Sequence, residues 1–366
     1  MLVDRIQVLV VTNMYASSAR PNWGTFVASQ VRSLEPLGVE SDLLEIEGYK
    51  SKWNYLRAIF EMRRRIRTKS YDIIHAHYGL SGLVARCQRR VPLVISFCGA
   101  DLLGRVNAVD RITFGSWVLA ILHRWLAHWA EAVIVKSAEM VETIPDCKPA
   151  LIANGVDFDM FRPLDRNACR RELGLKESGR YICFPYDPLE KRKNFAAVQD
   201  AVTLLNAERK KTSPASDSVE ILVVNDQPHD RVPLYLNASD ALVLPSFSEG
   251  SPNAVKEALV CNVAVVATAV GDIPELISHI EGCYIVAPTS EAVADGLRRA
   301  FAHGGRVKAR ERLSRLSTDT VGQSVLDVYI RVLRKRNSSF MRRHSDTKPL
   351  PERLRHHNEV QQYGIT

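Results

Sequence analysis

The sequence predicts an α/β protein of two Rossmann-like domains, each a parallel sheet covered by helices. Three observations point there. Short runs of Val, Ile and Leu recur that are apolar on both faces, as strands buried in a parallel sheet are. Runs with helical spacing alternate with them. The alternation breaks at a turn-rich passage and then starts again, in a chain of 366 residues that can supply two cores.

In the first unit Arg5–Asn13 (RIQVLVVTN) is a continuous apolar strand ending in a polar loop. Gly24-Thr25-Phe26 opens an amphipathic helix through Leu37, Val39–Ile46 alternates like a strand, and Trp53–Thr68 has helical spacing with a basic face. Tyr71–His77, Pro92–Phe97, Glu131–Lys136 and Ala150–Ala153 supply the remaining strands. Asn154–Pro163 (NGVDFDMFRP) is the turn-rich passage, with Asp165–Leu173 a short helix after it. The second unit repeats the pattern: strands at Tyr181–Phe184, Glu220–Val224, Ala241–Leu244, Ala264–Thr268 and Tyr284–Val286. Helices are predicted over Phe195–Ala207, Asn253–Val260, Pro274–Ile280 and Glu291–His303. The boundary falls within 155–175 and is drawn at 160/161. This gives a first domain over 1–160, a second over 161–336, and a basic tail over 337–366, polar and broken by Pro349 and Pro351, that reads as disordered.

Charge is unevenly placed. Residues 331–366 carry nine Lys/Arg against three Asp/Glu, +6 of the chain's formal +8, so the body is nearly neutral. That argues against a nucleic-acid-binding fold. No apolar run reaches the ~18 residues of a membrane span, and no signal-peptide pattern opens the chain, so a cytoplasmic location is expected. The seven cysteines, without a CxxC pair, read as small apolar residues of a reducing compartment.

The chemistry concentrates in Ser246–Leu259, SFSEGSPNAVKEAL. A strand runs into a loop of Glu249, Gly250, Ser251 and Pro252, and a helix follows at Asn253. Ligands of open parallel sheets bind beyond the strands' carboxyl ends, and free amides at a helix N-terminus favour anions. Glu249 in the loop and Glu257 one turn into the helix can reach two parts of one ligand and accept bonds from hydroxyls. This suits a sugar nucleotide, although by itself such a pair also reads as a helix cap with a solvated glutamate.

The segment ASDALVLPSFSEGSPNAVKEALVCNVAVVATAVGDIPELI resembles the donor-binding segment of glycosyltransferase family 4, retaining enzymes of the GT-B fold. Glu249 and Glu257 fit that family's E-x7-E motif, Gly271–Glu275 its following turn, Asn154–Pro163 its NGVD-x3-F-x-P passage, and His75–Gly79 a first-domain element. The resemblance runs from about residue 5 to 330. It implies two Rossmann-like domains facing each other across a cleft, and a hexose-type sugar moved from a UDP- or GDP-sugar to a glycan or lipid-linked acceptor, without a metal. By the same resemblance Glu257 holds the ribose, Glu249 contacts the donor sugar beside Gly250, Ser251, Pro252 and Asn253, and Gly24 lets backbone approach the donor phosphate. Lys193 with Arg192 neutralises the leaving diphosphate; Lys193 aligns well and Arg192 more loosely. Cys98-Gly99-Ala100-Asp101 falls where the family has a His-Gly-x-Asp turn, so Cys98 replaces a histidine expected at the donor sugar. Asp101 keeps its place, as a catalytic group or a helix cap.

His75 and His77 share a strand face but lack a third ligand for a metal. Two segments bear on the acceptor's location. Arg57, Arg63, Arg64, Arg65, Arg67 and Lys69 face a single acid, Glu61, which fits a basic helix at an anionic membrane and equally a solvated helix face. Trp117–Trp129 (WVLAILHRWLAHW) is expected to be a buried helix because it directly precedes a strand; a lipid-facing helix is the alternative. Peripheral contact with the inner membrane face is a further expectation. Other readings stay open: a nucleotide-sugar-binding homologue with weak or no turnover, or an epimerase of the same architecture. A NAD-dependent dehydrogenase is disfavoured, because no G-x-G-x-x-G follows the first strand.

Overall fold

The computed structural model describes residues 5–16, 23–104, 114–212, 218–225, 227–304 and 306–341. The first sheet is wholly parallel and six-stranded, built from β1 (Ile6–Thr12), β2 (Val39–Glu45), β3 (Ile73–His77), β4 (Leu93–Ser96), β5 (Ala132–Val135) and β6 (Ala150–Leu151) in the order β2-β1-β3-β4-β5-β6. Its strands are among the most deeply buried parts of the chain; Val8, Leu9, Ile73, Ile74, Val94 and Ile95 are inaccessible to solvent. One face is covered by α2 (Trp53–Thr68), α3 (Gly79–Arg86) and α5 (Phe114–Ala127). The short α4 (Ala100–Leu103) and α6 (Ala138–Thr143) follow the carboxyl ends of β4 and β5.

The second sheet has five parallel strands, β7 (Arg180–Phe184), β8 (Val219–Val223), β9 (Ala241–Leu244), β10 (Ala264–Ala267) and β11 (Tyr284–Ile285), ordered β11-β10-β9-β7-β8. Helices α7 (Arg166–Glu172), α8 (Phe195–Thr212), α9 (Val232–Ala238), α10 (Asn253–Val260), α11 (Ile273–Ile277) and α12 (Ser290–His303) cover it. In each sheet the strand order reverses at a switch point, which leaves a crevice beyond the carboxyl ends.

The last helix, α13 (Thr318–Met341), departs from the sequence expectation. Residues up to 336 were assigned to the second domain, yet α13 returns to the first. It packs beside α1 (Thr25–Leu34) on the sheet's other face, where Val325 and Tyr329 share a core with Val8, Val10 and Val27. The Tyr329 hydroxyl lies 2.6 Å from His75 Nδ1. The helix also continues through Met341, so 337–341 are helical; the rest of the expected disordered tail, 342–366, lies outside the described residues.

A second departure concerns α5. Its expected burial does not hold: Phe114 is 79% exposed, and Trp117, Trp125 and Trp129 lie open to solvent. Only Ala120, His123, Leu126 and Ala127 turn inward. A helix apolar all round satisfies the core with one stripe and leaves the rest outside.

Candidate functional site

The two sheets' carboxyl ends enclose a cavity of about 780 Å³. On the second-domain side, β9 feeds the loop 245–252, and Pro252 leads into α10. Glu249 is 9% exposed and sits between two cations. Its Oε1 accepts from Lys193 Nζ at 2.7 Å, and its Oε2 lies 3.0 Å from Arg192 Nη1. Lys193 Nζ also stands 3.2 Å above the Tyr186 ring. Burial would raise the Glu249 carboxyl, but the Lys193 and Arg192 charges outweigh it and hold the group below the usual carboxylate range. Burial pulls the Lys193 ammonium down, and Glu249 only partly offsets that.

One turn into α10, Glu257 Oε1 meets His229 Nε2 at 3.1 Å. Burial would lower the His229 imidazole, but the bond to Glu257 raises it above its ordinary value. Between the two glutamates Lys256 is fully buried, donating to Ser251 Oγ and lying 3.8 Å from Asp272. Gly271 holds φ +58°, and a Cβ there would stand 2.4 Å from the Gly250 carbonyl oxygen, so the Gly271–Glu275 turn is pressed against the Glu249 loop.

On the first-domain side, Gly24 caps α1 with φ +71°; a Cβ there would lie 2.4 Å from the Met14 carbonyl. The Asp101 carboxylate accepts from the Cys98 and Gly99 amides at 2.9 Å and from Gly79 N at 3.1 Å. It thereby ties the loops after β3 and β4 together. Gly99 (φ +128°) approaches the second domain so closely that a Cβ would stand 3.2 Å from Gly250 Cα. Burial and the Asp101 charge push the half-buried Cys98 thiol well above its usual range, so it is protonated and not a thiolate nucleophile.

Behind Cys98 lies a cluster of a different kind. Lys136 directly follows the end of β5, which pairs with β4, and it is close enough to Cys98 for each to shift the other's titration. Lys136 is 2% exposed, and among the described residues its Nζ has no hydrogen-bond partner. Burial brings its ammonium down to about 8. Both nitrogens of buried His77 are likewise without partners among the described residues, and its ring stacks on His75 at 4.3 Å. His75 uses both of its own, on Tyr329 and Ser96.

This geometry can be set against known proteins. Residues 2–150 match the family described as glycosyl transferase 4-like domain, and residues 200–303 that described as glycosyl transferases group 1. A putative teichuronic acid biosynthesis glycosyltransferase from Bacillus subtilis is 23% identical over 350 residues, covering 80% of this chain and 89% of the relative. The chain is a glycosyltransferase of the family 4 type. Sucrose-phosphate synthase from Thermosynechococcus elongatus superposes with a TM-score of 0.73 at 17% identity, covering 92% of this chain and all of that one. The Anabaena protein HepE, solved in complex with UDP, gives 0.61 at 16% identity, covering 88% and 99%. These likenesses establish the GT-B fold of the transferase.

The transferase brings most of the sequence-derived site residues to one cavity. Gly24 and Cys98 line it from the first domain; Arg192, Glu249, the Gly250–Asn253 loop and Glu257 line it from the second. Two do not reach it. Asp101 is 2% exposed with its carboxylate spent on backbone amides, so it holds the loop and does not face a substrate. Lys193 is equally buried and stands behind Glu249. Sequence reasoning passed over His229, Tyr186 and Lys136. The first two follow strand ends, where the crevice rule pointed; Lys136 ends a strand too, but an isolated lysine carries no motif.

Proposed function

We propose that the transferase is retaining and metal-independent. It moves a hexose-type sugar from a UDP- or GDP-sugar to a glycan or lipid-linked acceptor, in cell-surface polysaccharide or glycolipid synthesis at the inner membrane face. The carrying observation is the arrangement of Arg192, Glu249 and Glu257 along one wall of the cleft, facing Gly24 on the other. Glu257, oriented by His229, takes the ribose hydroxyls. Arg192 and the amides at the start of α10 take the diphosphate as charge develops on it, the largest electrostatic demand of the reaction. Glu249 contacts the sugar, and Lys193 positions Glu249 without touching the substrate. Retention requires the acceptor hydroxyl to reach the anomeric carbon from the face the diphosphate leaves, and a diphosphate oxygen is the base at hand for its proton. The relative's role in teichuronic acid biosynthesis and the UDP bound by HepE support a nucleotide sugar and a polysaccharide product.

Thermal shift against a panel of nucleotide sugars identifies the donor, since a ligand binding only the native state raises its melting temperature. The anomeric proton coupling of the product tests retention; an inverted product would overturn it. Turnover should survive EDTA, and loss restored by Mn²⁺ or Mg²⁺ would overturn the metal-free clamp. Cys98 in place of histidine favours a second reading, a nucleotide-sugar-binding protein without turnover, which slow donor hydrolysis would exclude.

A further inference from the structure

The outer layer of α2, α3 and α5 carries an apolar surface that the catalytic reading does not use. On α5, Phe114, Trp117, Val118, Ile121, Leu122 and Trp125 recur at helical spacing along the solvent side. On α2, Trp53 and Phe60 are each 70% exposed, with Leu56 between them. α3 lies between the two helices and contacts both. Both flanking helices lead to the amino end of the next parallel strand, α2 to β3 and α5 to β5, so their first residues, Trp53 and Phe114, lie at the cleft-side end of this layer. Among the described residues no helix is long and apolar enough to cross a membrane, so the layer would lie on a bilayer and not in it.

The charges select the occupant. α2 carries Arg57, Arg63, Arg64, Arg65 and Arg67 against Glu61 alone, which Arg64 and Arg65 already engage. A second copy docking by two-fold symmetry would set this cationic helix against itself. An anionic bilayer complements it, and tryptophan with arginine is the composition of an interfacial surface. We infer that α2 and α5 dock the transferase on anionic lipid, through Trp53, Phe60, Trp117 and Trp125 with Arg57 and Arg67 beside them, and so set the cleft mouth at the membrane. The inference deepens the lipid-linked acceptor reading and rests on it for its purpose, but not for its test.

The full chain is co-sedimented with vesicles of phosphatidylcholine alone and of phosphatidylcholine with phosphatidylglycerol. The native chain should bind the anionic vesicles. Trp117→Ser with Trp125→Ser should weaken that binding at least tenfold, and so should Trp53→Ser with Phe60→Ser, an independent pair on the other helix. Arg57→Glu with Arg67→Glu should abolish the preference for phosphatidylglycerol and the sensitivity to salt. All three variants leave the basic residues 342–366 intact, so binding unchanged in them would overturn the inference. So would native chain that binds no vesicle, or that sediments as a dimer which the tryptophan variants dissociate. UDP and GDP calorimetry on the same samples reports folding and the donor site. Vesicle binding with neither UDP nor GDP binding by the native chain would sink the donor assignment and leave the docking face standing.

Discussion

The two walls of the cleft handle buried charge in opposite ways. On the second-domain wall each buried charged side chain is matched: Glu249 lies between Lys193 and Arg192, and Lys256 meets Ser251 and Asp272. On the first-domain wall Lys136 and His77 are as deeply buried, yet their side-chain nitrogens have no partner among the described residues. A matched buried pair is rigid and costs little further to hold. An unmatched buried cation is a standing penalty, and it is kept only where the rest of the fold outweighs it. The wall expected to hold the donor nucleotide is therefore preorganised, while the wall beside Cys98 carries unsatisfied polarity.

The largest test breaks the matched wall. Glu249→Gln keeps the shape but leaves Lys193 buried beside Arg192 with its counter-charge gone. Removing one partner of a buried pair costs about 3–5 kcal/mol, and denaturant unfolding should register it. If the pairing is the cause, adding Lys193→Met should return much of the loss, because the remaining cation, Arg192, still meets Glu190 at 2.7 Å. A double variant no more stable than Glu249→Gln would show that the matching contributes little.

The mirror test acts on the unmatched wall. Lys136→Met removes a buried cation and keeps the volume, so it should stabilise. Burial brings the folded-state ammonium to about 8 against 10.5 in the unfolded chain. Between those values the unfolded state holds more proton, so stability conferred on the native chain rises with pH through this window. Below about pH 8 the penalty is complete, on the order of 3 kcal/mol, and Lys136→Met should exceed the native chain by up to that amount. Near pH 10.5 the gap should close. A gap that is constant from pH 7 to 10.5 would show that Lys136 is not the titrating group.

Glu257→Ala probes the matched wall for function. A hydrogen bond to a charged group contributes about 1.5–3 kcal/mol, so UDP or GDP affinity should fall roughly tenfold to a hundredfold. His229 loses its partner in this variant, so His229→Ala should show a smaller loss of the same sign. Unchanged nucleotide affinity in Glu257→Ala, measured by calorimetry, would remove it from the ribose site.

The contrast also marks what could be read in the sequence. Runs such as RIQVLVV and EAVIVK announced buried parallel strands because both faces must be apolar, and the crevice rule then located Glu249 and Glu257. The side of α5 that meets water was not legible, because its polar His123 turns inward while Trp117 and Trp125 face out, against the usual sense of an amphipathic helix. The return of α13 was hidden because Tyr329 and His75 are 254 positions apart. Asp101 stayed open between a catalytic group and a helix cap for a local reason: its place in the motif was clear, but whether its carboxylate faces backbone amides or substrate depends on how the loops after β3 and β4 close. Lys136 matters only through its closeness to Cys98, and its missing partner is visible only once the strands are aligned.

The smallest expected effect lies where the two walls meet, at Cys98. A thiol is a weak hydrogen-bond partner, and a bond to a neutral partner contributes about 0.5–1.5 kcal/mol, roughly up to tenfold in a rate. Room at this position is scarce: Gly99 and Gly250 approach so closely that a Cβ on Gly250 would stand 3.0 Å from the Cys98 carbonyl oxygen. Lys136 lies close by, so an imidazole would have to enter beside an ammonium that has no hydrogen-bond partner among the described residues. Cys98→His should therefore lose donor binding and turnover, while Cys98→Ala should be nearly neutral because the thiol contributes mainly volume. Combining Cys98→His with Lys136→Met separates steric from electrostatic causes. If the ammonium is the obstacle, the double variant should recover turnover to the native level or above; if space is the obstacle, it should stay impaired. A Cys98→His variant that by itself turns over faster than the native chain would show that the first-domain wall accepts a histidine, and that its unmatched lysine does not shape the sugar pocket.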